Sequence, residues 1–172
     1  AGAEIVIEEF MDGEEASLFV LCHGENCLAI GSAQDHKRAY DGDLGPNTGG
    51  MGAYSPAPVL TQALEDQAMT QIIRPTLAEM ARRGTPYQGV LYAGLMIKDG
   101  TARLIEYNAR FGDPECQVLA MRLGAQMLDL LLACSENRLE TARASWADDH
   151  AITVVMAANG YPGAYLKGSA IS

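Results

Sequence analysis

Hydrophobic residues follow two spacings along the chain, and their order predicts the fold class. Apolar positions recur at helical spacing from Thr61 to Met80, and again over residues 114–123 and 126–134. Short apolar runs typical of β-strands cover residues 5–7, 16–22, 27–33, 89–97, 103–108 and 152–158. Strands joined by hairpins, with helices grouped between them, favour an α+β fold with a mainly antiparallel sheet.

Two stretches interrupt these patterns. Pro75 lies inside the longest predicted helix and should kink or split it, because proline lacks a backbone donor. Residues 34–58 are rich in glycine and proline, which predicts a long irregular segment. Loops of this length in compact domains are usually functional or disordered, so this segment is a candidate for a binding loop.

Composition narrows the classes of function. The 172 residues carry 12 basic and 22 acidic side chains, a net charge of −10, without the basic stripe of a nucleic-acid binder. Apolar runs stay below the roughly 18 residues of a membrane span, so we expect neither nucleic-acid nor membrane partners. Four cysteines without zinc-like spacing predict buried thiols of a cytoplasmic protein. Both ends look cut, so we expect a piece of a longer protein.

The stretch "RLIEYNARFGDPE" places unusual chemistry at the end of an apolar strand. Residues two apart share a strand face, so Glu106, Asn108 and, if the strand persists, Arg110 should point the same way. A carboxylate beside a carboxamide oxygen suits Mg²⁺ rather than zinc, and a guanidinium suits phosphate. A solvated sheet face with an ion pair explains the same pattern. The following Gly-Asp-Pro predicts a helix start, with Asp113 as N-cap and Pro114 at the first helical position.

The irregular segment holds a local cationic cluster in an otherwise acidic chain. His36, Lys37 and Arg38 precede two aspartates and the run "GPNTGGMG". Glycines let backbone amides approach a ligand closely, although no Gly-Lys-Ser/Thr closes a Walker A loop. The segment therefore predicts a ligand-binding loop, with a mobile surface loop as the alternative.

Acidic residues also surround the first predicted strand in "VIEEFMDGEEAS". A strand-end backbone can hydrogen-bond an adenine edge, and a carboxylate one turn later, such as Glu15, can accept from ribose hydroxyls. Solvated charges around a hairpin explain Glu8, Glu9 and Glu15 equally well. This segment alone does not decide between the two interpretations.

In combination and in this order, "IEEFMDGEEAS", "DGDLGPNTGGMGAYSP" and "RFGDPE" resemble the glycinamide ribonucleotide synthetase family of the ATP-grasp superfamily. The resemblance runs along nearly the whole chain. It implies the larger ATP-grasp lobe over residues 1–150, followed over residues 151–172 by the last strand and the start of a truncated C-terminal domain. It further implies a monomeric ligase that joins glycine to 5-phosphoribosylamine through glycyl phosphate, with ATP as co-substrate.

The resemblance also implies roles for individual residues. Glu106 and Asn108 would hold Mg²⁺ (or Mn²⁺), and Arg110 would stabilise charge on the transferring phosphoryl group. Residues 8–11 would meet adenine, and Glu15 would bind the ribose hydroxyls. The adenine-contacting residues are Glu8, Glu9, Phe10 and Met11. Asp113 and the loop would face glycine or phosphoribosylamine. The loop residues are Asp35, His36, Lys37, Arg38, Asp41, Asp43, Asn47, Thr48, Gly49 and Gly50.

Two departures from the family pattern shape the expectation for this chain. Many ATP-grasp enzymes carry a further acidic metal ligand on the strand before the hairpin, where this sequence reads Gly94-Leu95-Met96. The family is also much longer, so the other lobe and further domains of the same polypeptide would be missing partners. The isolated chain should therefore bind nucleotide weakly and turn over negligibly. The alternatives are a non-catalytic nucleotide-binding module, another ATP-grasp carboxylate–amine ligase or a biotin-dependent carboxylase.

Overall fold

The fold is organised around a six-stranded antiparallel sheet. The computed structural model describes residues 4–42, 44–168 and 170. The strands are β1 (Glu14–His23), β2 (Asn26–Asp35), β3 (Arg38–Tyr40), β4 (Leu44–Asn47), β5 (Gly52–Ser55), β6 (Gln88–Lys98), β7 (Thr101–Asn108) and β8 (Ala151–Val154). In the main sheet they lie in the order β7-β6-β1-β2-β5-β8, and β3 pairs with β4 in a separate ribbon. The predicted α+β fold with a mainly antiparallel sheet is confirmed.

The predicted long helix is present and is divided before Pro75. It consists of α1 (Gln62–Ala68), a π-helical turn (Met69–Ile73) and α2 (Arg74–Arg82). The Thr61 hydroxyl caps α1 by accepting from the amide of Leu64. Proline cannot supply the amide that a continuous helix needs, which agrees with the break at this point.

Two hydrophobic cores lie on opposite faces of the sheet, and β1 contributes to both. Leu18 and Val20 pack with α1, the π-helical turn and α2. Phe19 and Leu21 pack with α3 (Glu115–Leu123) and α4 (Gln126–Ser135). Because helices cover both faces, β1 is an uninterrupted apolar run rather than an alternating one. The sheet is therefore packed on both faces, and its strand ends carry the side chains described below.

Three expectations about local structure are wrong. Residues 5–7 are exposed and form no strand, because apolar character alone does not make a strand without a neighbour to pair with. The segment 34–58 is not irregular throughout, since it contains β3, β4 and β5. The last strand ends at Val154 rather than at residue 158. Pairing partners, which are remote in sequence, decide all three cases.

Two further sequence expectations concern cysteines and membranes. All four cysteines are free thiols, with Cys22 and Cys134 buried and Cys27 and Cys116 half-buried. Within the described ranges, no single helix has the length and apolarity of a membrane span; α3 and α4 pass such a test only as a pair bent by 105°.

Candidate metal and phosphate site

A polar cavity of about 180 Å³ opens on the sheet where β1, β2, β6 and β7 lie side by side. Ser17 pairs with Gly94, and Gly94 pairs in turn with Glu106. A Cβ atom at Gly94 would stand 3.4 Å from Cγ of Glu106, so the glycine leaves room beside this carboxylate. The polar lining consists of Glu15, Ser17, Asp35, Lys37, Tyr92 and Glu106.

The predicted metal-ligand pair lies at the edge of this cavity. Asn108 donates from Nδ2 to Oε1 of Glu106 at 2.9 Å, so the two side chains meet on one face of β7. Arg110 does not extend this face, because β7 ends at Asn108. The guanidinium of Arg110 is exposed and donates to the carbonyl of Phe111 at 2.8 Å. The conditional expectation that all three share a strand face is therefore correct for two of them.

The donor chemistry of Glu106 and Asn108 fits a hard cation that keeps other ligands. Both residues offer oxygen, which Mg²⁺ and Mn²⁺ prefer. Across the described ranges, no group of three or more His, Cys, Asp or Glu side chains could enclose a metal ion. Mg²⁺ commonly binds through one or two carboxylates plus substrate phosphates and water. The pair thus fits a metal–phosphate complex better than a metal bound by protein alone.

Lys37 places a positive charge in the same cavity. Its Nζ lies 2.8 Å from Oε2 of Glu15 and 3.8 Å from Oδ2 of Asp35. Burial opposes the charge of Lys37, but the hydrogen bond to Glu15 and the charge of Asp35 outweigh it and raise the pKa of Lys37. Burial also raises the pKa of the Asp35 carboxyl, although Lys37 opposes this. Lys37 therefore stays cationic, and its present partners are the carboxylates of Glu15 and Asp35.

The glycine-rich loop is tied to the "RFGDPE" turn. Thr48 donates its hydroxyl to the carbonyl of Lys37 at 3.0 Å and accepts from the amide of Gly50 at 3.0 Å. A Cβ atom at Gly50, whose φ is +124°, would lie 2.6 Å from Cδ of Pro114 and 3.0 Å from the carbonyl oxygen of Asp113. The fold thus brings together two motifs that lie about 60 residues apart in sequence.

The other predicted loop residues are spread more widely. Arg38 donates to the carbonyl of Gly45 at 2.8 Å and pairs in register with Asn47. The His36 ring lies 5.3 Å from that of Tyr54. Asp41 is exposed in a turn, Gly49 adjoins Tyr161 through its amide, and Asp43 lies outside the described residues.

The predicted helix start is displaced by one residue. Pro114 flanks α3 and Glu115 is the first helical residue, so Asp113 is not the N-cap. The Asp113 carboxylate instead accepts from Nε2 of Gln117 at 3.1 Å. Its side chain consequently lies at the turn that contacts the glycine-rich loop.

The predicted adenine segment, residues 8–11, has no strand structure; residues 8–10 are exposed and Met11 is half-buried. Phe10 is 92% exposed, and Glu9 forms an ion pair with Arg103. Phe10 and Met11 border a cavity of about 390 Å³ with Met96 at the β6–β7 hairpin. Among the described bonds between backbone groups, none involves residues 8–11. Within the described part of the chain, these backbone groups therefore have no backbone partner and can meet a ligand edge.

Sequence reasoning missed a buried polar network behind the cavity. Ser17 Oγ lies 2.8 Å from the Tyr92 hydroxyl and 3.3 Å from Oε1 of Glu115. Glu115 is only 2% exposed. In the sequence, Glu115 looks like an ordinary acidic residue in the first turn of a helix, where it would favour the helix dipole. The sequence signal that could have indicated a buried polar partner was Ser17, a polar residue inside the apolar run "ASLFVLC".

The Glu115 carboxyl gives a pH-dependent stability difference. Burial chiefly raises its pKa, and the negative charge of Asp35 adds to the effect. The folded protein then binds this proton more tightly than the unfolded chain. The stabilisation is complete below the unfolded pKa and is lost as pH rises through the folded pKa. Urea unfolding from pH 4 to 8 should show wild type losing stability relative to Glu115→Gln as pH rises; a constant difference would contradict this.

Comparison with known proteins identifies the family to which the chain belongs. The family model described as "Phosphoribosylglycinamide synthetase, ATP-grasp (A) domain" matches residues 1–116, about two thirds of the chain. The chain belongs to this family. A phosphoribosylamine–glycine ligase from Rhizobium meliloti is 58% identical over the whole chain, which covers 41% of that protein. A chloroplastic phosphoribosylamine–glycine ligase from Arabidopsis thaliana is 58% identical over 99% of the chain and 32% of its own length.

Solved structures support the fold assignment. The crystal structure of phosphoribosylamine–glycine ligase from Thermotoga maritima matches with a TM-score of 0.81 and 34% identity, over 94% of this chain and 40% of that one. The Kluyveromyces lactis urea carboxylase matches with a TM-score of 0.56 at 16% identity, a similarity that shows the fold alone. The chain spans about two fifths of the length of the first bacterial relatives. It is an ATP-grasp lobe of this ligase family.

Proposed function

We propose that the protein containing this chain joins glycine to 5-phosphoribosylamine at the expense of ATP, giving glycinamide ribonucleotide, ADP and phosphate. Family membership and the names of the relatives support the reaction. The observation that carries the proposal for this chain is that Glu106, which is hydrogen-bonded to Asn108, and the cationic Lys37 line the same cavity. Such a site offers ligands for a metal ion and a charge for its phosphate.

The chain's own residues divide the work between binding and charge stabilisation. Glu106 and Asn108 hold Mg²⁺ (or Mn²⁺), which when bound neutralises charge on the ATP phosphates. Lys37 lies within reach of a phosphate in the cavity, and Arg110, on the adjoining turn, would stabilise charge on the transferring phosphoryl group. Glycine's carboxylate accepts the γ-phosphoryl group, ADP leaves, and the amine then displaces phosphate from the acyl phosphate.

The remaining assignments follow the two other motifs. Residues 8–11 bind adenine through their free backbone groups, and Glu15 binds the ribose. Glu15 now accepts from Lys37, so nucleotide binding requires the two residues to share or exchange partners. Asp113 and the glycine-rich loop bind glycine or phosphoribosylamine, since the turn and the loop contact each other. We also propose a cytoplasmic monomer, in which residues 151–172 lead into a following domain.

Exchange of the matching segment in a full-length relative tests this function. This chain replaces the aligned 172 residues of the Rhizobium meliloti ligase, and glycine-dependent ADP release is measured with and without phosphoribosylamine. We expect activity that requires both substrates. A folded chimera that lacks ligase activity, beside an active parent enzyme, would support the non-catalytic module. Turnover with another carboxylate or amine in place of either substrate would support a different ATP-grasp ligase.

A further inference from the structure

The buried carboxyl of Glu115 lies behind the cavity and contacts it through two hydroxyl groups. Ser17 and Tyr92 both line the cavity, and Ser17 Oγ is within 2.8 Å of the Tyr92 hydroxyl and 3.3 Å of Oε1 of Glu115. A serine hydroxyl has one proton and a carboxylate only accepts. Ser17 is therefore placed to donate its single proton either to the Tyr92 hydroxyl or to the Glu115 carboxyl, and it does not need the proton of Tyr92. The hydroxyl orientations on the cavity wall thus depend on a group that lies outside the cavity.

Gly112 is part of the same arrangement. A Cβ atom at residue 112 would stand 2.3 Å from Oε2 and 2.5 Å from Cδ of Glu115. Contacts this short do not occur, so a side chain at residue 112 would displace the Glu115 carboxyl from its present place. The glycine of "RFGDPE" is therefore needed for the position of Glu115, in addition to any effect on the turn itself.

The first turn of α3 also touches the glycine-rich loop. Glu115 follows Pro114, whose Cδ lies where a side chain of Gly50 would be. Fixing Glu115 against Ser17 on β1 therefore fixes Pro114 against the loop. One carboxyl group connects the cavity wall, the turn and the loop.

We propose that Glu115 is a positioning residue, which holds the Ser17 and Tyr92 hydroxyls on the cavity wall and fixes the 110–114 turn against the glycine-rich loop. The inference deepens the proposed function, on which it rests for the identity of the ligand, a metal-bound nucleotide phosphate. The Tyr92 hydroxyl, which accepts from Ser17, can donate its own proton to a phosphate oxygen or a metal-bound water next to Glu106. The positioning acts through hydrogen bonds and shape and does not need a negative charge.

Conservative and disruptive variants separate this role from a general loss of packing. Glutamine has the size of glutamate and still accepts from Ser17, so Glu115→Gln should bind Mg²⁺–ATP within about twofold of wild type. Glu115→Ala and Ser17→Ala each lose a buried hydrogen bond and should bind about fivefold more weakly, the size typical of one such bond. Gly112→Ala keeps the carboxyl but displaces it, and should weaken binding likewise. Glu136→Ala, at an exposed glutamate after α4, is the matched control and should bind as wild type does.

Calorimetric titration of the chain, with circular dichroism to confirm folding, gives these affinities. Hydrogen exchange by mass spectrometry adds a readout that needs no ligand. Peptides covering residues 48–50 and 110–114 should exchange faster in Glu115→Ala and Gly112→Ala than in wild type or Glu115→Gln.

Each possible outcome of these measurements either supports or overturns the positioning role of Glu115. If Glu115→Gln fails as badly as Glu115→Ala, the negative charge is required and the positioning role is overturned. Wild-type affinity and exchange in folded Glu115→Ala would overturn it too. If wild type binds no Mg²⁺–ATP, the proposed nucleotide site is wrong, and hydrogen exchange alone tests the positioning role. Faster exchange of residues 48–50 and 110–114 in Glu115→Ala, but not in Glu115→Gln, would support that role. Unchanged exchange in Glu115→Ala would overturn it.

Discussion

Glu106→Ala is expected to abolish metal binding at the proposed Glu106–Asn108 site. In the presence of ATP, Mn²⁺ should bind wild type and broaden its electron paramagnetic resonance spectrum, whereas the variant should leave the spectrum of free Mn²⁺–ATP unchanged. The affinity of the chain for Mn²⁺ in the presence of ATP should fall at least about tenfold, which corresponds to a loss of about 1.4 kcal/mol of binding free energy. The physical reason is that Glu106 provides the one charged ligand of the predicted pair with Asn108.

Two further variants test whether the loss of Mn²⁺ binding is specific to Glu106. Asn108→Ala should weaken Mn²⁺ binding less than Glu106→Ala, because it removes a neutral oxygen ligand and leaves the carboxylate in place. Glu79→Ala removes a half-buried carboxylate on α2 that pairs with Arg82 and Arg83, far from β7 in sequence, and should leave Mn²⁺ binding unchanged. Equal Mn²⁺ binding by wild type and Glu106→Ala would place the metal elsewhere.

Truncation of the central strand should produce the largest loss of stability. Leu18 and Phe19 are fully buried neighbours on β1 that face opposite cores. Leu18→Ala should cost about 2–5 kcal/mol and Phe19→Ala about 3–5 kcal/mol of unfolding free energy. The whole free energy of unfolding of a domain is only about 5–15 kcal/mol, so either substitution should strongly lower the urea concentration at the unfolding midpoint.

An exposed leucine provides the comparison for these core variants. Leu128 lies on α4 and is 65% exposed, so Leu128→Ala should change stability by no more than about 0.5 kcal/mol. Similar urea midpoints for Leu18→Ala and Leu128→Ala would contradict the arrangement in which β1 is covered on both faces. A loss in only one of Leu18→Ala and Phe19→Ala would show that one of the two helical layers is not packed on the sheet.

Local sequence patterns predicted the elements whose information is itself local. The cap at Thr61, the break before Pro75 and the β6–β7 hairpin are each set by a few neighbouring residues. The strand predicted at residues 5–7 is absent, because a strand needs a pairing partner and the local sequence pattern contains no information about one. The prediction that residues 34–58 are irregular throughout is wrong for the opposite reason: β5 pairs with β2 and β8 although the segment is rich in glycine.

The candidate site shows the same division. The meeting of Glu106 and Asn108 follows from strand alternation, which the sequence displays directly. The approach of Lys37 to Glu15 and Asp35, and of Gly50 to Pro114, depends on the order of strands in the sheet. Glu115 could not be recognised as buried, because its partners Ser17 and Tyr92 lie 98 and 23 residues away along the chain. Long-range pairing therefore limits prediction of the site more than side-chain chemistry does.

Calorimetric titration of ATP into this chain, once with Mg²⁺ and once with excess EDTA, tests the central claim most directly. The claim is that this lobe alone carries a metal-dependent nucleotide phosphate site. We expect weak binding with Mg²⁺, because the opposing lobe is absent, and none measurable with EDTA. Binding of equal strength under both conditions, or none by a chain shown to be folded, would contradict the claim.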